Sequence, residues 1–315
     1  MGVGALLFAA VVDAQPFPSR SITWVVPFAP GGITDITSRI VAKYLTADLG
    51  QQIVIENRPG AGGTVGSELV ARAQADGHTV LYGTLGTMAA NPFLYKAIRY
   101  QPLKDFVPIH GMFQSPNVIV TNPSRPYSTL TALLDFGRAN PGKLSMASAG
   151  PGTGTHLAGE LLQVHVGVKM THIPYKGSVP ALTDLIGGQV DVMFDYAVSA
   201  GPHVKTGKLR GLAVAASHRL SLLPEVPTTT EAGVPGAESS SWSGMFAPAK
   251  TPPAIVTRLT RAMELAMASA EPTKYAEQHG SRVLNGMTSA KFLAFVEAET
   301  VRWGEVIRRA DLRLE

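Results

Sequence analysis

The chain has 315 residues, 45% of them hydrophobic and 16% charged, with 32 Gly, 23 Pro and no Cys. This excludes a disordered, a collagen-like or a disulfide-stapled chain, and at about 150 residues per domain the length predicts two lobes with a cleft between them. The net charge of +4 is spread without a run of like charge, so the basic stripe of a nucleic-acid binder is missing and no nucleic-acid partner is expected, whereas an anionic small ligand is compatible.

From Val3 to Val12 the sequence is apolar throughout, and Val12, Asp13 and Ala14 precede Gln15 as a signal-peptidase site would. Residues 1–14 are therefore read as a secretory signal too short to span a bilayer. No Lys or Arg precedes the apolar run, which predicts a natural start further upstream. Without a Cys to acylate, the product is expected to be unanchored, and without a later run of about 18 apolar residues it is expected to diffuse freely in the periplasm.

Beyond the signal, strand and helix patterns alternate. The β-branched and aromatic run 22–26 leads through Pro30, Gly31 and Gly32 into an amphipathic helix over 33–49. The unit recurs as a strand at 53–55, glycines at 60–63 and a helix to 73, then as a strand at 79–82 before a loop at 83–87. Further strands are predicted at 143–147, 170–173, 190–194 and 209–215, with a helix from Gly154 to about Val166. A final section, 253–312, reads as all helical, with Ala262, Leu265 and Ala266 at helical spacing. Strands alternating with helices indicate an α/β fold with largely parallel sheets. Two extended segments, 117–121 and 239–246, read as crossings between lobes. Residues 118–241 then form lobe 2, and 15–117 with 242–315 form a discontinuous lobe 1, a clamshell that closes on its ligand by a two-stranded hinge.

Three strand-to-helix turns share a Gly, Ser and Thr composition: 28–35, 83–87 and 147–156. Glycine allows close backbone approach to a ligand, and the helix start that follows offers unpaired N–H donors at the positive end of its dipole. Such turns bind anions without a cationic side chain. In open α/β sheets ligands collect beyond the carboxyl ends of the strands, which would let the three turns face each other across the cleft. Taken singly, each turn could equally serve only as the N-cap of its own helix.

Catalytic signatures are absent. There is no G-x-S-x-G elbow and no P-loop, and 150–154 does not meet the G-x-G-x-x-G spacing of a dinucleotide loop. An NAD(P)-linked oxidoreductase built on 150–154 is the alternative reading, weakened by export and by the missing acidic ribose partner. His156 and Glu160 share a helix face without a third ligand, so no metal is expected. Asp191 and Asp195 fall on one face of a strand, Asp195 at its carboxyl end beside the ligand and Asp191 as a strand-start residue. Asp35 suits either the first turn of its helix or the ligand.

Several segments together resemble the Bug family of extracytoplasmic receptors of tripartite tricarboxylate transporters. They are 26–35, 56–63, 76–79, 152–160, 173–177 and 227–233, in order and at similar spacing from about Pro18 onward. The resemblance implies a periplasmic binding protein of type 2, a two-lobed Venus flytrap with two hinge strands, without catalysis or cofactor. It implies a small organic carboxylate as ligand (a di- or tricarboxylate, an aromatic carboxylate or an acidic amino acid) and a membrane permease as partner, with a sensor kinase as the alternative recipient. A monomer is expected. Carried over to this sequence, one ligand carboxylate meets the first turn at Phe28, Gly31, Gly32, Thr34 and Asp35, and Thr84 and Thr87 face the same cleft. Ser148, Gly152, Thr153, Thr155 and His156 supply donors from the second lobe, and Tyr175 and Asp195 line the far side. A carboxylate at Asp195 beside an anion is repulsive unless it meets a ligand ammonium, a hydroxyl or water.

Overall fold

The computed structural model describes residues 17–313; the expected signal segment 1–14 lies outside them. The chain opens with β1 (Ile22–Val26), α1 (Ile33–Leu49), β2 (Ile53–Asn57), α2 (Thr64–Ala71) and β3 (Thr79–Thr84). β1 lies between β2 and β3, parallel to both. Two short helices, α3 (Asn91–Leu94) and α4 (Pro102–Asp105), lead into β4 (Phe106–Thr121). A second set follows: α5 (Leu130–Ala139), β5 (Ser145–Ser148), α6 (Gly154–Val166), β6 (Thr171–Pro174), α7 (Ser178–Ile186), β7 (Val192–Tyr196), α8 (Ala197–Lys205) and β8 (Arg210–Val214). The chain returns through β9 (Ser240–Pro248) and closes with α9 (Pro253–Met267), α10 (Ala270–Gln278), the two-residue β10 (Arg282–Val283) and α11 (Ser289–Arg309).

The strands run in the order β2-β1-β3-β9-β4-β7-β5-β6, with β8 and β10 also paired to β4. β4 changes partners along its length. Up to Pro116 it pairs antiparallel with β9, and from Asn117 to Thr121 it pairs with β7 and β8. β9 in turn pairs with β3. The segment 239–246 therefore runs beside 108–116 of β4, while 117–121 pairs with β7 and β8, and the two extended segments meet where the Asn117 N–H donates to the Ser239 carbonyl.

Alternation along buried strands explains why each half is covered on both faces. In the first half Trp24, Val26 and Tyr82 pack with Leu45 of α1 and Met263 of α9. Val25, Leu81 and Phe246 point the other way, onto Phe292 and Trp303 of α11. In the second half Ile119, Met146 and Phe194 pack with Leu133 and Leu162, while Val118, Val120 and Met193 meet Leu185 and Leu209.

The sheet is mixed and not largely parallel, because β4 and β9 run antiparallel to every strand they pair with, and three local expectations also differ from the structure. Gly83 and Thr84 belong to β3, and the chain then winds directly into a wide helical turn at Gly86–Ala90, because Thr87 Oγ1 accepts the Thr84 N–H at 2.9 Å and closes the turn on itself. The closing section is interrupted by β10, whose Arg282 and Val283 pair with Gln114 and Phe113 of β4. On α9, Ala262 and Ala266 are buried but Leu265 is 52% exposed.

Where β4 and β9 pass each other the packing leaves no room at Gly244. A Cβ there would stand 2.2 Å from the Phe292 ring and 2.7 Å from the His110 carbonyl oxygen. Since backbone cannot yield as a side chain can, Gly244→Ala is expected to cost about 1–3 kcal/mol, read as a lower urea midpoint with an unchanged m-value.

Candidate functional site

Four helices begin at the wall of one cavity of about 690 Å³, which is also lined by residues of β3, β4 and β9. At α1 the turn is made by Gly31, whose φ of +80° favours glycine, and Gly32 is the extended N-cap. The first intrahelical bond runs from Ile36 N–H to Gly32 C=O, so the amides of Ile33, Thr34 and Asp35 precede it and have no acceptor within the helix. The Asp35 carboxylate faces back into its own turn. It accepts the Gly31 N–H at 3.0 Å and is held by Arg39 at 2.9–3.1 Å. The Arg39 guanidinium keeps this carboxyl below the usual carboxylate range, and its charge offsets the negative one that would otherwise oppose an anion here.

α6 starts from a more elaborate turn. Thr153 is the N-cap: its Oγ1 accepts the His156 N–H at 3.4 Å and donates to Gly150 C=O at 2.7 Å. Thr155 Oγ1 accepts the Ala149 N–H at 2.8 Å. Beneath this turn lies a buried polar layer. Ser148 Oγ accepts the Gly150 N–H at 3.1 Å and sits 2.6 Å from His172 Nε2. His156 Nδ1 accepts the Gly152 N–H at 3.2 Å, its ring stacks on His172 with centroids 4.0 Å apart, and its Nε2 is 3.5 Å from Glu160 Oε1. An accepting Nδ1 assigns the His156 proton to Nε2, toward Glu160. Burial drives His172 down to about 3, so it is neutral. Neither imidazole faces the cavity.

α7 and α8 complete the wall. Gly177, at φ +119°, turns the chain into α7, where Ser178 Oγ donates to Asp195 Oδ1 at 2.8 Å. Pro180 occupies the third helical position, so this helix start offers the amides of Ser178 and Val179 but no third. Tyr196 is the extended N-cap of α8, and burial pushes its phenol up to about 12. Asp195, directly before it, is fully buried, and its Oδ2 has no hydrogen-bond partner. Burial pushes this carboxyl up to about 7. Asp191 is a strand-start anchor, accepting from Ser145 N–H and Oγ and from the Tyr127 hydroxyl.

Of the residues singled out from the sequence, Phe28, Gly31, Gly32, Thr34, Thr84, Gly152, Thr153 and Thr155 line the cavity. Asp35, Thr87, Ser148, His156 and Asp195 are buried behind its wall, where they hold the turns, and the Tyr175 hydroxyl bonds Asp184 at 2.7 Å instead. The structure adds Ser178 and Ser199 from the two unanticipated helix starts, and Ser241 and Ser243 from β9. The alternate serines of 239–243 carried that signal, since period two puts 241 and 243 on one face. Among the described residues Lys176 is the one cationic side chain in the lining, and no acidic side chain lines it. Among the described residues no group of three or more His, Asp or Glu is placed to hold a metal, and no helix is long and apolar enough to cross a membrane.

Residues 37–312 match the family model of the tripartite tricarboxylate transporter family receptor. The protein BugT of Bordetella pertussis is 37% identical over 309 residues, which cover 98% of this chain and 94% of BugT. Among solved structures, Rpa4515 of R. palustris with adipate is similar at a TM-score of 0.86 and 36% identity, covering 95% of this chain and 100% of that one. MatC from Rhodopseudomonas palustris with bound malate is similar at 0.84 and 36%, covering 92% and 100%. The fold is the two-lobed mixed α/β fold of periplasmic binding proteins.

The Asp195 carboxyl gives the site a pH signature. Its pKa is raised from the ordinary 3.8 to about 7 by burial, so between these values the folded chain holds a proton that the unfolded chain releases, and stability falls as pH rises through the window. Asp195→Asn keeps an acceptor for Ser178 and removes the titration. Urea unfolding from pH 4.5 to 8 should show the wild type losing stability relative to this variant, with the gap widening up to about pH 7 and then level.

Proposed function

Because the chain belongs to the tripartite tricarboxylate transporter receptor family, we propose that it is a periplasmic solute receptor that captures a small organic carboxylate in the cleft and delivers it to a membrane permease. The observation that carries the ligand class is the convergence of four helix starts on one cavity without an acidic side chain in its lining. Each start aims unpaired N–H donors and the positive end of a helix dipole at the same space, an arrangement suited to anions. The adipate of Rpa4515 and the malate of MatC belong to the same class.

The likeness to these receptors supports closure of the two lobes over the ligand, which removes water and strengthens every donor. The change of β4 partners at Asn117 supports taking 118–241 as one lobe and the segments on either side as the other. In this reading Phe28, Gly31, Gly32, Thr34 and Thr84 contact the ligand from one lobe, and Gly152, Thr153 and Thr155 from the other. Asp35, Thr87, Ser148, His156 and Asp195 act one layer behind, by holding those turns in place.

Isothermal titration with adipate and with its diamide, the same skeleton without charge, tests the reading. Hydrogen bonds to a charged group contribute about 1.5–3 kcal/mol each, so two of them lost should weaken the diamide by about a hundredfold or more. Equal binding of acid and amide, or tight binding of neutral sugars alone, would refute an anion receptor.

A further inference from the structure

Donors alone do not describe the wall of the cavity. Among the described residues, two large apolar side chains that are strongly exposed also line it: Ile36, 41% exposed on α1, and Val179, 77% exposed on α7. They come from helices of different lobes, and each sits within four residues of its helix start, beside the unpaired amides. Phe28, Ile33, Pro180 and Val198 extend the same apolar lining around them. A carboxylate held at the amides therefore places the carbon attached to it against hydrocarbon.

The hydroxyl groups nearby are already oriented. Thr37 Oγ1 donates to Ile33 C=O at 2.7 Å, Thr153 Oγ1 to Gly150 C=O at 2.7 Å and Ser178 Oγ to Asp195 at 2.8 Å. With their single protons committed to protein acceptors, these hydroxyls do not donate to a carboxylate oxygen, which leaves that role to the amides.

We propose that Ile36 and Val179 form an apolar collar that selects carboxylic acids with a plain hydrocarbon body over hydroxylated acids of the same charge and length. This rests on the reading of the cleft as a carboxylate site. It accounts for a Val left three-quarters exposed at a cavity wall: on ligand binding that side chain is covered by methylene groups, and the area removed from water adds to affinity.

The test is calorimetric titration of the purified protein with succinate, glutarate, adipate and malate. Burial of one methylene corresponds to about fourfold in affinity, so Kd should fall by up to about that factor at each step from succinate to adipate, and malate should bind more weakly than succinate. The heat-capacity change should grow more negative along the series. Val179→Thr conserves shape but offers a hydroxyl, and at so exposed a position folding is unaffected. It should weaken adipate about fourfold and leave malate unchanged or improved, and Ile36→Thr should do the same from the other lobe. Acids that bind without dependence on chain length, malate tighter than succinate, or unchanged adipate to malate ratios in both variants would overturn the collar while leaving the carboxylate receptor standing. Failure of every acid to bind would overturn both.

Discussion

The first turn of a helix carries amides that its own backbone cannot satisfy, and in this protein four such turns open on the same 690 Å³ of space. Much of the surrounding sequence serves that condition. Glycines at 31, 152 and 177 take positive φ so that each strand can turn sharply into its helix. Thr153 ties the turn before α6 to the Gly150 carbonyl. Extended caps at Gly32, Thr153 and Tyr196 fix the angle at which three of the helices start. A cation in the lining would supply attraction more cheaply, but only Lys176 is there among the described residues. Fixed dipoles have the advantage of position: they do not need to be ordered when a ligand arrives.

Such a wall tolerates little stray negative charge, and the buried acids are handled accordingly. Asp35 is matched by Arg39 and turned into its own helix start. Asp195, without a cation, is pushed toward its neutral form by burial. His172 is kept neutral by the same desolvation, so it joins the layer under the 148–156 turn through hydrogen bonding and stacking. Several titratable residues thus cluster behind the cavity wall, where they hold the backbone of its turns.

Much of this was legible in the sequence because the signals are local. The α1 boundaries follow from glycines at both ends, with Gly50 in the left-handed conformation closing the helix on Thr46. The β-branched runs gave β1, β3 and β7, and the extended segments 117–121 and 239–246 correspond to the last five residues of β4 and to most of β9, whereas 106–116 went unread. What sequence could not separate was the face of the wall from its backing. Thr153 and Ser148 have the same chemistry and lie five residues apart, yet one lines the cavity and the other bonds His172. That difference is set by the packing of β5 between β6 and β7, a long-range fact. The α7 and α8 starts were missed because their turns carry one glycine or none, so the composition that marked the others was diluted.

The placement of α6 has a mechanical meaning. Its Leu162 packs into the second-half core, but Leu157 and Leu161 are buried among Trp242, Phe292 and Trp303 of the first. A helix embedded in both bodies cannot travel with either one without exposing apolar surface from the other. Its burial on both sides makes α6 the element that ties the two cores together. α7, by contrast, packs into the second half alone, through Ala181, Leu182 and Leu185. The cleft thus sets a helix start buried in both halves, α6, against one buried in a single half, α7.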